Sequence, residues 1–530
     1  MADAADLPTE YLLELGSAPI PTIVRRASLG QPGTHAVGAV PRQAGVTGTG
    51  VVLRYSQRGW IGEPGDADKP NVSYAARLVE PPTLTRGIRI LPEESSRLTF
   101  QSGEVRLDNT DGGLDQVTGD WTMAGRPAVL LRGPHRQPLR AAYSEFARMA
   151  ELRISGAALG ASGRVSIGLR EAARDLAVPV GSTYAGTGSL EGDATLKGQM
   201  RPSLYGLKRN APVVPLLAAQ LIYQVSGRAL ASVDGVRDGG AGLGGGTNYP
   251  NFAALLAASV PQSQYATCLA QGLIRLGSPP ERQVTVDATG AGITNHSGIA
   301  QALLTGPGGL PAGRIDTASF SALPGGVAGF LFTSGTVEAA LNEVTVSCAG
   351  WWGSDRLGRI VMGRLPVPET ATPSFAVQRW MLTAEPSEIE GVPPRWRQRV
   401  GYRRLGLVQS ATDLLGIASS DPAAVAAYGT AQLVETAVNA TLLGLYPSAT
   451  DPEPLPTGYD AATDAQALAT YLLALHGTRR RRWRVPVGKW GAAIDVGQPI
   501  SVDHPRLAGK TWIVTAMDES GDTKTLTLWG

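Results

Sequence analysis

With 530 residues the chain is too long for one hydrophobic core and, at roughly 100–200 residues per domain, should divide into about three or four. Only 17% of the residues are charged while 66 Gly and 38 Pro punctuate the sequence, a balance that favours many short strands joined by turns over long helices. The near-even charge, 47 basic against 45 acidic residues, gives no reason to expect nucleic-acid binding through a general phosphate field, and the low charge density suits a surface covered by neighbouring proteins.

In chain order, YLLEL, PTIVRRA, GVVLRYS, SYAARLV and GIRIL alternate in the strand manner, with Gly, Pro or Asp clusters between them. RLTFQSGEVRLDN and RPAVLLRG predict further strands on either side of the loop DNTDGGLDQ, and ELRISGAAL another. GRVSIGLREAARDLAV then shifts to helical spacing, with Leu169, Ala172, Ala173 and Leu176 on one side, and ends before Pro179. From about Ser182 to Gly350 the sequence is poorest in charge and richest in Gly. Here PVVPLL, QLIYQVS, ALASVDGV, QVTVDA, GVAGFLF and NEVTVSCAG predict strands around two short helical stretches, NFAALLAASV and GIAQALLTG, which together read as a separate, mostly β domain.

The last third begins at Trp351. DPAAVAAYGTAQLVETAV, from Asp421 to Val438, predicts a helix opened by an N-cap Asp and a first-turn Pro, and DAQALATYLLALHG, from Asp464 to Gly477, a second one stopped by Gly. RWRVPVG, PISVDH, KTWIVTAMD and KTLTLWG return to strand, and no fixed-period repeat appears, which disfavours solenoids and propellers. The N-terminus MADAADLPTEYLLELG lacks a basic region before an apolar run, and no stretch approaches ~18 uncharged apolar residues, so neither a Sec signal nor a spanning helix is expected.

The loop Asp108, Asn109, Thr110, Asp111, Gly112, Gly113 has the composition of a calcium site. Counted as an EF-type loop from Asp108, however, it fails at Thr110, Gly112 and Gly119, and starting at Asn109 or Asp111 does no better. Asn109, Asp111, Gly112 and Gly113 instead suit side-chain turns and positive φ, so the loop reads as a turn without metal. GGAGLGGG contains a GxGxxG match at Gly240, Gly242 and Gly245, but it runs into TNYPNF and has no acidic residue near position 262, unlike a dinucleotide site. RRRRWR, from Arg479 to Arg484, lies between a helix end and a strand, where basic residues suit the helix dipole; its functional reading is contact with phosphate or an acidic lumen.

Catalytic signatures are missing from the sequence pattern. His35, His135, His296, His476 and His504 stand far apart, no GxSxG elbow occurs, and neither cysteine has a Cys–His signature. The carboxylate pairs Glu93 with Glu94 and Glu388 with Glu390 read as surface or turn residues, because nothing in the sequence pins a second carboxylate at the roughly 5–9 Å separation that acid–base work on a glycan needs. Cys268 and Cys348 are expected as buried free thiols, a single bridge between them staying open, and no catalytic residue, cofactor or metal is assigned.

Several segments taken in order resemble a known family. VSYAARLVEPPTLTRGIRILPEESSRLTFQSGEVRLDNTDGGLDQV followed by GRPAVLLRG resembles the first barrel of the central tail-tip hub proteins of long-tailed phages with non-contractile tails and of related gene transfer agents. YAGTGSLEGDATLKGQMRPSLYGLKRNAPVVPLL resembles that family's crossing into a second domain, and QLIYQVSGRALASVDGVRDGG the strand pair after it. AGWWGSDRLGRIVMGRL, PPRWRQRVGYRR and IDVGQPISVDHPRLAGKTWIVTAMDESGDTKTLTLWG are similar to its later landmarks, the last to its closing strands, so the resemblance runs from about residue 70 to 530.

The resemblance implies a mainly β fold with minor α, two tail-tube-like β-barrels with an inserted β-rich domain. It divides the chain into a first barrel over 1–185, an inserted Gly-rich β domain over 186–350, strands opening the second barrel over 351–405, a helical excursion over 406–478 and closing strands over 479–530. It makes the protein a non-enzymatic structural hub, a homotrimer whose ring adapts the sixfold tube to a threefold tip and lines or closes the DNA channel. The implied partners are the distal tail protein ring, the tape-measure protein in the lumen, and other tail-tip and fibre proteins, with DNA only in transit and host-envelope contact indirect. The implied location is the virion, at the distal end of the tail, after synthesis in the host cytoplasm.

Under this reading Asp108, Asn109, Asp111, Gly112 and Gly113 shape a hairpin connection, Trp351, Trp352, Trp396 and Trp529 anchor strands, and Arg479, Arg480, Arg481 and Arg482 face the lumen or a neighbouring subunit. Larger hubs continue into fibronectin-like domains and a fibre whereas this sequence ends at Trp529-Gly530, so host recognition is expected on another polypeptide or on 186–350. The competing readings are a receptor- or glycan-binding tail protein and a tail-borne glycan-degrading enzyme.

Overall fold

The computed structural model describes residues 9–19, 51–91, 93, 97–115, 118, 121–136, 141–160, 163–389, 391–489 and 493–530. The expected strand PTIVRRA and His35 lie outside them. The chain is mainly β, and two large sheets carry its ends.

The N-terminal sheet has ten strands. Its path runs Trp60–Ile61, Ser73–Ala76, Val51–Ser56, Thr9–Pro19, Pro127–Pro134, Ala147–Gly160, Arg164–Arg170, Val105–Asp108 and Leu78–Glu80, with Trp121–Thr122 paired to Thr9–Pro19. Period-two alternation puts Leu13 opposite Leu130 and Leu107 opposite Val165, so one face is continuously apolar and buried. Register shifts after Leu130 and after Ile154 bend the long strands.

The C-terminal sheet has eight strands: Phe375–Val377, Pro499–Val502, Trp512–Ser520, Thr523–Trp529, Arg482–Val487 and Ser387–Ile389 in order, with Leu84–Gly87 paired onto Trp512–Ser520 and Thr99–Ser102 onto Leu84–Gly87. Among the described residues the ladders of both sheets remain open paths.

One hairpin belongs to both sheets. Its outer half, Leu78–Glu80 with Val105–Asp108, completes the N-terminal sheet, and its inner half, Leu84–Gly87 with Thr99–Ser102, completes the C-terminal one. Pro81 and Pro82 carry no N–H, so the strand is released from one ladder before it enters the other, and the Gly103 N–H donates to Thr83 O at 2.8 Å across the step. The two sheets therefore share one core, in which Leu13, Leu107, Leu130 and Ile167 are buried together with Trp483, Val514, Leu526 and Trp529.

A buried charge network crosses the same junction. Arg86 is 3% exposed, on the same strand face as Leu84; it pairs with Asp495 and donates to Ser354 O at 2.9 Å. Arg356 reaches Asp495 at 3.5 Å and Glu519 at 3.0 Å, and Arg132 of the N-terminal sheet reaches Glu519 at 3.5 Å. Burial pushes the Lys524 amine down to about 8, against the pull of Glu519, and its ammonium donates to Ile494 O at 2.5 Å. Burial alone would raise the Asp495 carboxyl, but Arg86 and Arg356 hold it below the usual range.

Between the ends lie two five-stranded sheets. One is built on Ser203–Pro212 and Val284–Gly290, the other on Ile222–Gln224 and Leu273–Leu276, with helices His296–Thr305 and Val337–Val346 packed in a separate core. The helix Ala462–His476 buries Ala465, Leu468, Ala469 and Leu472 against the three-stranded sheet Leu433–Val438, Arg397–Tyr402 and Leu455–Pro456.

Three expected elements change type. NEVTVSCAG, expected as a strand, mostly falls in the helix Val337–Val346: Thr336 caps it, and Val337, Ala340, Leu341 and Val344 form its buried stripe once VEAAL is read with it. GRVSIGLREAARDLAV is a strand, Arg164–Arg170, followed by a 3-10 turn, because its alternating half pairs with Ala147–Gly160. The helix expected over Asp421–Val438 is helical only over Pro422–Gly429; Leu433–Val438 is a strand, since LVETAV alternates and pairs with Arg397–Tyr402. GIRIL is a strand only up to Gly87.

Replacing Arg86 with Met leaves Asp495 only the longer contact with Arg356, and equilibrium denaturation should show a loss of about 3 kcal/mol. Replacing Asp495 with Leu in the same chain should recover part of that loss.

Candidate functional site

The loop from Asp108 is ordered from within. Asn109, 6% exposed, accepts the Leu114 N–H at 2.7 Å on its Oδ1 and donates from Nδ2 to Asp115 Oδ1 at 2.8 Å. Asp111 Oδ1 accepts the Gly113 N–H at 2.9 Å, and Arg77 grips both carboxylate oxygens at 2.8 and 2.7 Å. That guanidinium first, and the Gly113 N–H next, hold the Asp111 carboxyl well below the usual carboxylate range. Gly112 takes φ +68, which a side chain would disfavour, and a Cβ on Gly113 would meet Arg77 Nη2 at 2.7 Å. The oxygens a cation would need are thus occupied by N–H donors and a cation already. No metal-binding cluster of His, Cys, Asp or Glu occurs among the described residues.

The loop is not a hairpin connection. Val105–Asp108 pairs with Arg164–Arg170 and Leu78–Glu80, while two strands lie between it and Pro127–Pro134, so the loop crosses between non-adjacent strands. Sequence proximity suggested a hairpin; the intervening Ala147–Gly160 and Arg164–Arg170 strands arrive later in the chain and separate the two.

The arginine run divides its tasks. Arg480, 5% exposed, donates to Leu475 O and Ala474 O, each at 3.0 Å, at the end of the helix Ala462–His476, pairs with Glu369 and lies 5.3 Å over the Trp529 ring. Arg481 grips Glu388 at 2.7 and 2.6 Å. Arg479 and Arg484 are exposed, and Arg482 lines a groove of about 350 Å3 with Arg89, Gln101 and Thr515.

Trp352 and Trp529 are fully buried, and Trp352 Nε1 donates to Asn342 at 2.8 Å. Trp351 is half-buried over Gly363 and Gly497, and Trp396 precedes the strand Arg397–Tyr402 with its backbone bound to Thr450 and Asn439. Cys268 and Cys348 are free and sit in different cores, and burial pushes the Cys348 thiol up to about 12. The glycines 239 and 240 form a turn against Leu414, Ala418 and Tyr428 and lead into the short strands Ala241–Gly242 and Gly244–Asn248, where a dinucleotide site would open a helix.

Among the described residues the structure brings together a Ser–His pair, which the sequence pattern did not reveal. His296 Nε2 lies 2.8 Å from Ser347 Oγ, but both side chains are sealed from solvent under Tyr459 and Phe330, so no substrate reaches them. Burial, with Arg364 adding to it, pushes His296 down to about 3; burial with Arg395 and Arg480 does the same to His476. Glu93 pairs with Arg395 and Glu388 with Arg481, while Glu94 and Glu390 lie outside the described residues.

The junction network was also missed by sequence reasoning. Its signal is a charge on the inward face of an alternating strand: Arg86 beside Leu84, Glu519 beside Met517, Lys524 beside Leu526.

No family model matches the chain, and no curated protein matches it. Among solved structures it is similar to the 43 kDa tail protein of prophage MuSo2 from Shewanella oneidensis, 9% identical over 86% of this chain and 94% of that one, with a TM-score of 0.34. It is similar to a tail protein from Neisseria meningitidis, 10% identical over 87% of this chain and 93% of that one, with a TM-score of 0.34. A third is prophage tail protein gp18 from Listeria monocytogenes, 8% identical over 87% and 90% respectively, with a TM-score of 0.37. Each is a tail protein.

Asn109→Ala removes an acceptor and a donor from a buried turn and should cost about 1–3 kcal/mol in urea denaturation, whereas calcium or EDTA should leave the melting temperature of the native chain unchanged. The buried histidines set an acid dependence. The folded chain refuses protons that the unfolded chain binds below about pH 6.5, so stability is full above that pH and falls as pH drops toward the folded value. Between pH 6.5 and 5 the slope should approach 1.4 kcal/mol per pH unit for each histidine, at about its steepest near pH 5, and His296→Gln should remove roughly half of it.

Proposed function

We propose that this chain is the structural hub of a phage tail tip. Three copies form a ring that adapts the sixfold tail tube to a threefold tip and lines or closes the DNA channel. The observation that carries the reading is the pairing of two large β-sheets in one chain through a shared hairpin, in a sequence whose ordered landmarks run from about residue 70 to its end. Two such units per chain give six lobes from three copies, the count a sixfold ring above requires.

The N-terminal sheet buries one face in the core it shares with the C-terminal sheet and covers part of the other with a smaller apolar cluster of Leu12, Leu131, Trp60 and Tyr74, while the C-terminal sheet sets one buried face against a largely polar one, as the wall of a tube needs. On the C-terminal sheet the outward face combines the neutral Thr85, Gln101, Thr525 and Thr527 with Asp518, opposite Thr525, and Arg484, opposite Thr527. The loop from Asp108 to Asp115, stiffened by Asn109 and Arg77, serves as a fixed contact to an adjoining ring or subunit. The partners are the distal tail ring, the tape-measure protein and other tip and fibre proteins, and the location is the distal end of the tail.

Gold-labelled antibody against the purified chain should mark one end of the tail in intact particles under electron microscopy. Label on the capsid, along the tail shaft or on no particle at all would exclude the hub.

A further inference from the structure

The segment from Gly406 to Tyr446 stands out from the rest of the surface. Among the described residues, seven of the fifteen exposed large hydrophobic side chains fall between Val408 and Leu445, including Ile417 at 79% and Leu445 at 67% exposure. The helix Pro422–Gly429 buries none of its residues, and the strand Leu433–Val438 has a neighbour on one side only, with Leu433, Val434 and Val438 exposed. An apolar strand edge left open is a pairing surface, and exposed aliphatic side chains gathered in one segment suit a docking face.

Charge identifies the occupant. From Leu405 to Thr478 the sequence contains no Lys or Arg and seven acidic residues, and RRRRWR begins at the next position. Asp451 and Asp460 are taken by arginines of the same chain. Asp413, Asp421 and Glu435 make no ion pair among the described residues, so the flap presents an apolar surface with acidic charge. On the Arg482–Val487 strand and the turn before it, Arg479, Arg482 and Arg484 likewise make no ion pair among the described residues, while Arg481 neutralises the neighbouring Glu388. No hydrogen bond or ion pair joins the two surfaces within one copy among the described residues.

We propose that the flap at 406–446 docks on the arginine-bearing strand of a second copy of this chain. Because the two surfaces differ, the contact is head-to-tail, and repeating it produces a closed ring when the rotation between copies permits. The proposal rests on the ring reading above, and it selects the neighbouring subunit over the lumen for Arg479 and Arg484. Those arginines steer and orient the contact, and the exposed aliphatic side chains supply its burial.

The test is sedimentation velocity of the full chain across the micromolar range, comparing the native protein with Ile417→Asp/Leu445→Asp and with Arg479→Glu/Arg484→Glu. All four positions are exposed, and unchanged thermal unfolding verifies that the variants fold. The native chain should self-associate, and each double variant should weaken association by at least about tenfold. If the native chain associates and both variants associate equally well, the docking surface is wrong while the ring reading stands. If the native chain stays monomeric throughout, the ring reading itself fails and this inference with it.

Discussion

Arg86 occupies a core-facing position of a strand, where a guanidinium is tolerated only if carboxylates and carbonyls surround it. Those partners come from everywhere except its own neighbourhood: Asp495 and Ser354 directly, then Arg356, Glu519 and Arg132 in sequence. The network closes only when the hairpin from Leu78 to Asp108 has laid its halves in two different sheets. Folding of the two ends of the chain is therefore one event, since neither sheet completes its edge or neutralises its buried charge without the other. The double-proline step at Pro81 and Pro82 is the local device that permits this, because it frees the backbone from one ladder where the next begins.

This coupling ties the two ends of a chain so rich in short strands into one packed unit. A shared core with buried ion pairs resists sliding better than two units joined by a linker, a property the proposed tube wall would need. The middle sheets and the exposed flap hang on that frame. Their cores are separate, and the flap carries the exposed apolar surface that the paired sheets have buried.

Much of the strand content was legible from alternation alone: VRLD, RWRVPV and KTLTLW place Leu, Val or Trp at every second position, and PAVLLRG and TWIVTAMD add runs of β-branched and large apolar residues. Errors arose where a short window held both periods. LVETAV read as the tail of a helix because PAAVAAYG precedes it, and NEVTV read as a strand because the stripe that makes it helical starts at Val337. For the loop, residue chemistry fixed the turn but not the connection, since strand order depends on Ala147–Gly160 inserting between neighbours in sequence. The arginine run was half legible: Arg480 caps its helix as the dipole argument requires, whereas the carboxylates that hold Arg480 and Arg481, Glu369 and Glu388, lie about a hundred residues upstream, beyond any local pattern.

If two sheets per chain are the repeating unit of a tip, the geometry of the isolated assembly follows without any partner. Class averages of the purified protein by negative-stain electron microscopy measure it directly. The account predicts a ring with threefold symmetry and six lobes around a central opening. A ring with one lobe per chain, or particles of single-chain size with no ring, would contradict it.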